Sequence, residues 1–135
     1  MANLQGVSMS GMEWIATVTV LGIAAAFLAV TKMGSISPDA ARAFLRQGAK
    51  VIDVRSPEEF RARHLPNALN IPLGELGEQI GRHAPNQEEV LLLHCLSGGR
   101  SGMGRRILKR MGYTKVFNLG SLARAERIVR DSGQP

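Results

Sequence analysis

The only cysteine of the chain, Cys95, is surrounded by residue types that suit a reactive thiol. Four apolar residues, 90–93, precede it and predict a short strand buried on both faces. Gly98 and Gly99 then form a turn, and Arg100 and Ser101 lead into a helix predicted over 102–111. Backbone amides, a helix N-terminus and a guanidinium all stabilise a thiolate, which is the nucleophilic form of cysteine. The pattern therefore predicts a nucleophile at the end of a strand and not an inert buried cysteine.

The spacing within this loop resembles the active-site loop of the rhodanese family of sulfurtransferases. In that family four residues separate the cysteine from an arginine, and Ser or Thr often follows. The corresponding run here is Cys95-Leu96-Ser97-Gly98-Gly99-Arg100-Ser101. The resemblance implies that Cys95 and Arg100 are catalytic and that residues 96–101 bind the substrate. Protein tyrosine phosphatases place five residues at this point, and their wider loop suits a phosphate group.

A second stretch also resembles rhodaneses. It runs from Asp53-Val54-Arg55 through Glu59-Phe60 and His64-Leu65-Pro66 to Asn70-Ile71-Pro72. These residues are predicted to support the loop: Asp53, Arg55 and Glu59 as a partly buried polar network beneath it. Arg55 is expected to add positive potential to the pocket, and His64 to make a structural hydrogen bond.

Three substitutions and one missing residue depart from the family pattern. Arg63 stands where a glycine usually precedes the histidine, and Asn67 replaces the next glycine. Asn is the residue after Gly that best accepts a positive φ, so we expect one at Asn67. Near the C-terminus Ser121 replaces a glycine, and the family's tryptophan is missing. The resemblance covers residues 36–129, which predicts a single rhodanese-like module.

Predicted strands and helices alternate from Ser37 onward. This order is typical of an α/β fold with a mostly parallel central sheet and helices on both faces. In such folds ligands bind beyond the carboxyl ends of the strands, where Cys95 is predicted to lie.

The charge and composition of the chain limit the kinds of ligand and partner that we expect it to bind. The net charge is +6 and the pI is about 10.4, which suits small sulfur-containing anions, persulfides or an acidic membrane surface. Aromatic residues make up only 4% of the chain and no nucleic-acid motif occurs, so we expect no nucleic-acid binding. A single cysteine excludes an internal disulfide. We expect neither a metal nor a cofactor.

The N-terminal part predicts a membrane anchor. The sequence predicts a disordered tail at residues 1–12, a transmembrane helix at 13–33 and the rhodanese-like domain at 34–135. Residues 14–31 carry no charge and would extend about 27 Å as a helix. Lysines and arginines follow this run but do not precede it, which predicts a single-pass protein with its domain in the cytoplasm. Gly22 and Ala26 have a spacing that favours a weak homodimer.

These features predict a sulfurtransferase. It would move a sulfane sulfur from thiosulfate or a low-molecular-weight persulfide to cyanide, sulfite or a thiol, through a persulfide on Cys95. Leu96 would place an apolar side chain at the mouth, which predicts that thiosulfate is a poor donor. One alternative is a membrane-tethered persulfide carrier or sensor that delivers sulfur to a partner protein with little turnover. Another is a phosphatase, which the four-residue loop and the lack of a general acid disfavour.

Overall fold

The computed structural model describes residues 11–32 and 34–133. Residues 1–10 of the predicted tail, Met33 and residues 134–135 lie outside this part. The helices are α1 Gly11–Lys32, α2 Pro38–Arg46, α3 Pro57–Ala62, α4 Leu76–His83, α5 Gly99–Arg110 and α6 Leu122–Asp131. The strands are β1 Lys50–Asp53, β2 Leu69–Asn70, β3 Leu91–Cys95 and β4 Val116–Ser121, and a 3-10 turn, Leu73–Glu75, precedes α4.

The four strands form one parallel sheet in the order β2-β1-β3-β4. Between consecutive strands a connection of helix and loop carries the chain back to the end of the sheet where every strand begins, as parallel pairing requires. The predicted α/β fold with a parallel sheet is confirmed. The carboxyl ends of all four strands therefore lie at the opposite end of the sheet, and Cys95 is located there.

Strand β3 lies between β1 and β4, and every one of its residues is buried. Leu91, Leu93 and Cys95 belong to an apolar cluster with residues of α4 and α5, and Leu92 to a second cluster with residues of α2 and α6. Successive side chains of a strand point to opposite faces of the sheet. The continuous apolar run before Cys95 therefore reflects a strand covered by helices on both faces.

The start of α5 differs from the prediction. The sequence predicts a helix over 102–111, whereas α5 begins at Gly99 and includes Arg100 and Ser101 in its first turn. Gly104 of α5 allows this helix to pack close to the sheet, because an added Cβ would lie 2.9 Å from Leu93 Cδ2. The loop that follows Cys95 is thus short and is held between a central strand and a closely packed helix.

The apolar run at the N-terminus is helical, and α1 begins at Gly11, so Gly11 and Met12 are not part of a tail. Within the ranges 11–32 and 34–133, no helix is long and apolar enough to cross a membrane. Helix α1 contains Glu13 in its first turn, and the hydroxyls of Thr17 and Thr19 donate to backbone carbonyls one turn earlier.

The predicted transmembrane helix at 13–33 is therefore not supported. The membrane location, the cytoplasmic placement of the domain and a dimer through Gly22 and Ala26 stay predictions.

Candidate active site

Cys95 is the last residue of β3 and is fully buried. Its Sγ accepts a hydrogen bond from the backbone amide of Gly98 at 3.0 Å and lies 3.5 Å from the Ser101 hydroxyl. Gly98 belongs to the loop and Ser101 to the first turn of α5. The end of β3 and the start of α5 therefore meet at the sulfur.

These donors change the ionisation of the thiol. Burial is the largest influence and raises the pKa of Cys95. The hydrogen bond from the Ser101 side chain and the amides of Ser101, Gly98 and Ser97 act against burial, and the net result is a lowered pKa. A lower pKa means a larger thiolate fraction near neutral pH, and the thiolate is the reactive form.

The conformation of the loop depends on Gly98. This residue is the N-cap of α5 and has φ +99°, which is in the left-handed region. A side chain at this φ is strained, so glycine is required where the loop turns into the helix. Gly99, the other glycine of the pair, already lies in the helix. The turn thus aims the Gly98 amide at the sulfur.

Asn118 of β4 braces this loop from the neighbouring strand. Its Oδ1 accepts from the Ser101 hydroxyl at 2.7 Å and from the Gly120 amide at 2.9 Å, and its Nδ2 donates to Gly98 O at 3.1 Å. The Ser101 hydroxyl oxygen is nearer to Asn118 Oδ1, at 2.7 Å, and to Gly98 O, at 3.1 Å, than to the sulfur, at 3.5 Å. When Cys95 ionises, the sulfur becomes a charged acceptor for the same hydroxyl.

Arg100 forms a two-point ion pair with Glu59 of α3. Its Nη1 and Nη2 donate to Glu59 Oε2 and Oε1 at 2.7 Å and 2.8 Å. The hydrogen bond from Arg100 is the largest cause that lowers the pKa of Glu59, to about 2. The Cys95 thiolate also helps to raise the pKa of the Arg100 guanidinium. Arg100 thus pairs with a carboxylate 41 residues earlier in the chain, and its pKa also responds to the charge of Cys95.

Glu59 is itself held in place by the start of α3. The Ser56 hydroxyl accepts from the Glu59 amide, and Glu59 Oε2 accepts from the Ser56 amide at 3.0 Å, which is a complete capping box. Glu59 Oε2 thus caps the N-terminus of α3, and both carboxylate oxygens accept hydrogen bonds from Arg100.

Asp53 and Arg55 form a separate and buried pair. Arg55 Nε lies 2.9 Å and 3.0 Å from the two carboxylate oxygens, and Nη2 lies 2.6 Å from Oδ2. Arg55 also donates to the carbonyl of Arg63 at 2.6 Å. The structure hence divides the three residues of the expected network between two ion pairs, and Asp53 offsets the positive potential of Arg55.

Two histidines lie in different surroundings. His64 is exposed and stacks on Phe60, and its Nδ1 is 2.8 Å from the Phe60 carbonyl, which is the expected structural hydrogen bond. His94, for which the sequence predicts no role, is fully buried next to the nucleophile, with Nε2 3.6 Å from Asp53 Oδ2. Burial lowers the pKa of His94, so its ring is neutral at pH 7.

The three substitutions relative to the family pattern have local explanations. Arg63 has extended backbone and pairs with Glu126 at 2.6 Å. Asn67 has φ +60°, as predicted for the position of a glycine. Ser121 is the N-cap of α6, where its hydroxyl accepts from the Arg124 amide, and its backbone bridges to Ser97. Each substitution is thus compatible with the same loop.

The mouth of the site carries two exposed apolar side chains. Leu96 is 57% exposed, and Met103, one turn after Arg100 on α5, is 49% exposed. Leu96 directly follows Cys95. Met103 neighbours Arg100 on the surface of α5 because the two are three residues apart. The side chains of Arg100 and Glu59 are 36% and 31% exposed. The entrance therefore combines one compensated cation with apolar surface.

Comparison with known proteins places this geometry in a family. The family model of the rhodanese-like domain matches residues 37–123. The thiosulfate sulfurtransferase PspE of Escherichia coli is 42% identical over 71 residues, which are 53% of this chain and 68% of that protein. The putative sulfur carrier protein YrkF of Bacillus subtilis is 36% identical over 73 residues, 54% of this chain and 38% of that protein.

A solved structure shares the fold. Human single-domain sulfurtransferase TSTD1 has a TM-score of 0.60 and 30% identity, over 70% of this chain and 96% of the other. Because the family model spans the sheet, the cysteine loop and both ion pairs, the chain belongs to the rhodanese family.

Proposed function

We propose that this rhodanese-type sulfurtransferase moves a sulfane sulfur from an anionic donor to a thiophilic acceptor through a persulfide on Cys95. The donor class is thiosulfate or a low-molecular-weight persulfide, and the acceptor is cyanide, sulfite or a thiol. The observation that carries the proposal is the set of amide and hydroxyl donors around Cys95 Sγ, which lower the pKa of a buried thiol.

The first half-reaction loads the sulfur. The Cys95 thiolate attacks the outer sulfur of the donor and forms a new S–S bond. The S–S bond of thiosulfate breaks, and sulfite leaves with the electron pair. The charge that develops on the transferred sulfur lies in reach of the Gly98 amide and the Ser101 hydroxyl, and Arg100 is placed to hold the donor's sulfonate oxygens.

The second half-reaction transfers this sulfur from Cys95 to the acceptor. The acceptor attacks the outer sulfur of the persulfide, the S–S bond of the persulfide breaks, and Cys95 leaves as the thiolate. The same donors that stabilise the thiolate make it a good leaving group. No proton transfer is required when the acceptor is an anion, which agrees with a site whose nearest histidine, His94, is buried and neutral.

Intact mass spectrometry tests this reaction on the full chain. Incubation with thiosulfate should add the mass of one sulfur, about 32 Da, and cyanide should remove it as thiocyanate. The Cys95→Ser variant should gain no mass and form no thiocyanate, while its unfolding transition stays close to that of the wild type. Transfer by that variant would contradict the proposal.

A carrier that hands sulfur to a partner protein is the second candidate, and the similarity to the putative sulfur carrier YrkF is the observation that favours it. The two functions differ in turnover. A carrier forms the persulfide and releases one thiocyanate per chain, whereas an enzyme releases many. Counting thiocyanate per chain with excess thiosulfate and cyanide separates them.

A phosphatase is not supported. The loop places four residues between Cys95 and Arg100, and the nearby carboxylate, Glu59, has a pKa of about 2. A general acid has to be protonated near neutral pH, which Glu59 is not. Rapid hydrolysis of p-nitrophenyl phosphate would overturn this conclusion.

A further inference from the structure

We infer that Glu59 is a positioning residue that selects the charge of the sulfur donor. Through its ion pair with Arg100 it favours singly charged donors, of the thiosulfonate or organic persulfide class, over doubly charged thiosulfate. This inference rests on the proposed function of the site and concerns which donor that site accepts.

The first support is the rigidity of the pair. Arg100 and Glu59 share two hydrogen bonds of 2.7 Å and 2.8 Å, the geometry in which a guanidinium and a carboxylate bind best. The capping box with Ser56 fixes the carboxylate at the start of α3. The guanidinium can therefore meet a donor only with the carboxylate still attached, and its positive charge is already compensated.

The second support is the charge balance at the nucleophile. With Cys95 ionised, Cys95, Arg100 and Glu59 together carry two negative charges and one positive charge, and the pKa of Arg100 responds to both of the others. Arg55 acts on both Glu59 and Arg100, but its own charge is offset by the buried carboxylate of Asp53. A donor with two negative charges therefore meets a group that is already net negative, and a donor with one charge is repelled less.

The third support is the apolar entrance. Leu96 and Met103 are among the most exposed apolar side chains of residues 34–133 and lie on the loop and on the first turns of α5. They offer contact to an organic group and no hydrogen bond to a charged oxygen. An alkyl group in place of one oxygen of thiosulfate suits such a surface.

Two donors of nearly equal shape test the inference. Thiosulfate and the methanethiosulfonate anion (CH3SO2S−, as its sodium salt) differ by one methyl in place of one charged oxygen. With methanethiosulfonate the Cys95 thiolate takes the outer sulfur, and methanesulfinate leaves with the electron pair. The experiment measures kcat and KM for both donors in the full chain, with cyanide as acceptor.

Glu59→Gln removes the charge and keeps the size of the side chain. We expect KM for thiosulfate to fall about fivefold in this variant, because Arg100 is no longer compensated, and KM for methanethiosulfonate to change less than twofold. Glu59→Asp keeps the charge and should keep the wild-type preference. Glu58→Gln is the matched control: it removes a carboxylate from the same helix turn, but Glu58 pairs with Arg61. Its ratio of the two KM values should equal that of the wild type.

A merely structural role gives a different result. If Glu59 only holds the loop together, Glu59→Gln lowers kcat for both donors alike and leaves the ratio of their KM values unchanged, which would overturn the inference. A wild type that transfers sulfur from neither donor would instead overturn the proposed function itself.

A measurement on the wild type does not depend on turnover or on any variant. Sulfate and methanesulfonate are unreactive analogues of the two donors, and each can protect Cys95 from alkylation by iodoacetamide. Methanesulfonate should protect at lower concentration than sulfate does. Stronger protection by sulfate would contradict the inference.

Discussion

The ion pairs Asp53–Arg55 and Glu59–Arg100 use the same chemical groups in two different surroundings. Arg55 and Asp53 are 3% and 0% exposed, whereas Arg100 and Glu59 are 36% and 31% exposed. The first pair is joined to the backbone through the Arg63 carbonyl, and the pKa of the guanidinium in the second pair is raised in part by the Cys95 thiolate. The buried pair therefore stabilises the fold, whereas the half-exposed pair is accessible to a ligand.

The difference in exposure also gives the two pairs different roles. A buried ion pair contributes little net stability while it is intact, but loss of one partner leaves the other charge buried with neither a partner nor water around it. A half-exposed pair is screened by water and contributes less to stability, and its charges can act on a substrate. The four predictions below test this division of roles, starting with the largest expected change.

Asp53→Ala should lower the free energy of unfolding by about 3–5 kcal/mol, because Arg55 stays buried and loses the carboxylate to which it is hydrogen-bonded. Urea unfolding followed by circular dichroism measures this. Asp39→Ala is the control, since Asp39 pairs with Arg42 at the surface and its side chain is 92% exposed. Equal destabilisation by both variants would contradict the contrast between the two surroundings.

Arg100→Ala should reduce kcat/KM for thiosulfate about 100-fold, because a charged donor next to the transferring sulfur is lost. The free energy of unfolding should fall by less than about 1 kcal/mol. Thiocyanate formation and urea unfolding measure the two quantities. Arg61→Ala, which breaks the surface pair with Glu58, should leave both unchanged. A large loss of stability without loss of activity would reverse the roles we assign.

Ser101→Ala should raise the pKa of Cys95, because the largest of the influences that lower it is removed. Alkylation by iodoacetamide as a function of pH reports this pKa, and the midpoint should move to higher pH. Ser97→Ala is the matched control, since Ser97 acts through its backbone amide and not its side chain. An unchanged midpoint in Ser101→Ala would mean that Arg100, and not the neutral donors, holds the thiolate.

The smallest effect concerns pH and stability at the half-exposed pair. The pKa of Glu59 is about 2 in the folded chain, below its usual value, so its pairing stabilises the fold above the usual pKa and is lost as the pH falls toward 2. The stability difference between wild type and Glu59→Gln should be less than about 1 kcal/mol at pH 6 and should shrink as the pH falls toward 2, where Glu59 becomes protonated. A difference that is the same at pH 6 and pH 2 would show that packing, and not charge, causes it.

The comparison also shows what the sequence can predict. The parallel sheet and the placement of Cys95 at a strand end follow from patterns within a few residues, an apolar run and a glycine turn. The pairing of Arg100 with Glu59 joins residues 41 positions apart, and no local pattern indicates it. The Ser56–Glu59 spacing does predict a helix start, but it says nothing of a second partner for the carboxylate.

Two other features needed the structure. Asn118 lies within the range 36–129 that resembles the family, yet its hydrogen bonds to Ser101 and Gly98 depend on the register of β4 against β3. The apolar run of α1 predicts a helix correctly, but apolar character alone does not determine whether that helix spans a membrane.

The position of the nucleophile on β3 has a consequence for how activity is lost. Local openings of a protein involve its edges and loops, and strands paired on both sides open only with the whole domain. Cys95 pairs with Ser121 on a strand that is buried throughout, and β1 flanks that strand on the other side. In rising denaturant the thiol should therefore keep its low reactivity toward bulky reagents until the global transition. Amide hydrogen exchange should be slowest in the strand that carries the sulfur.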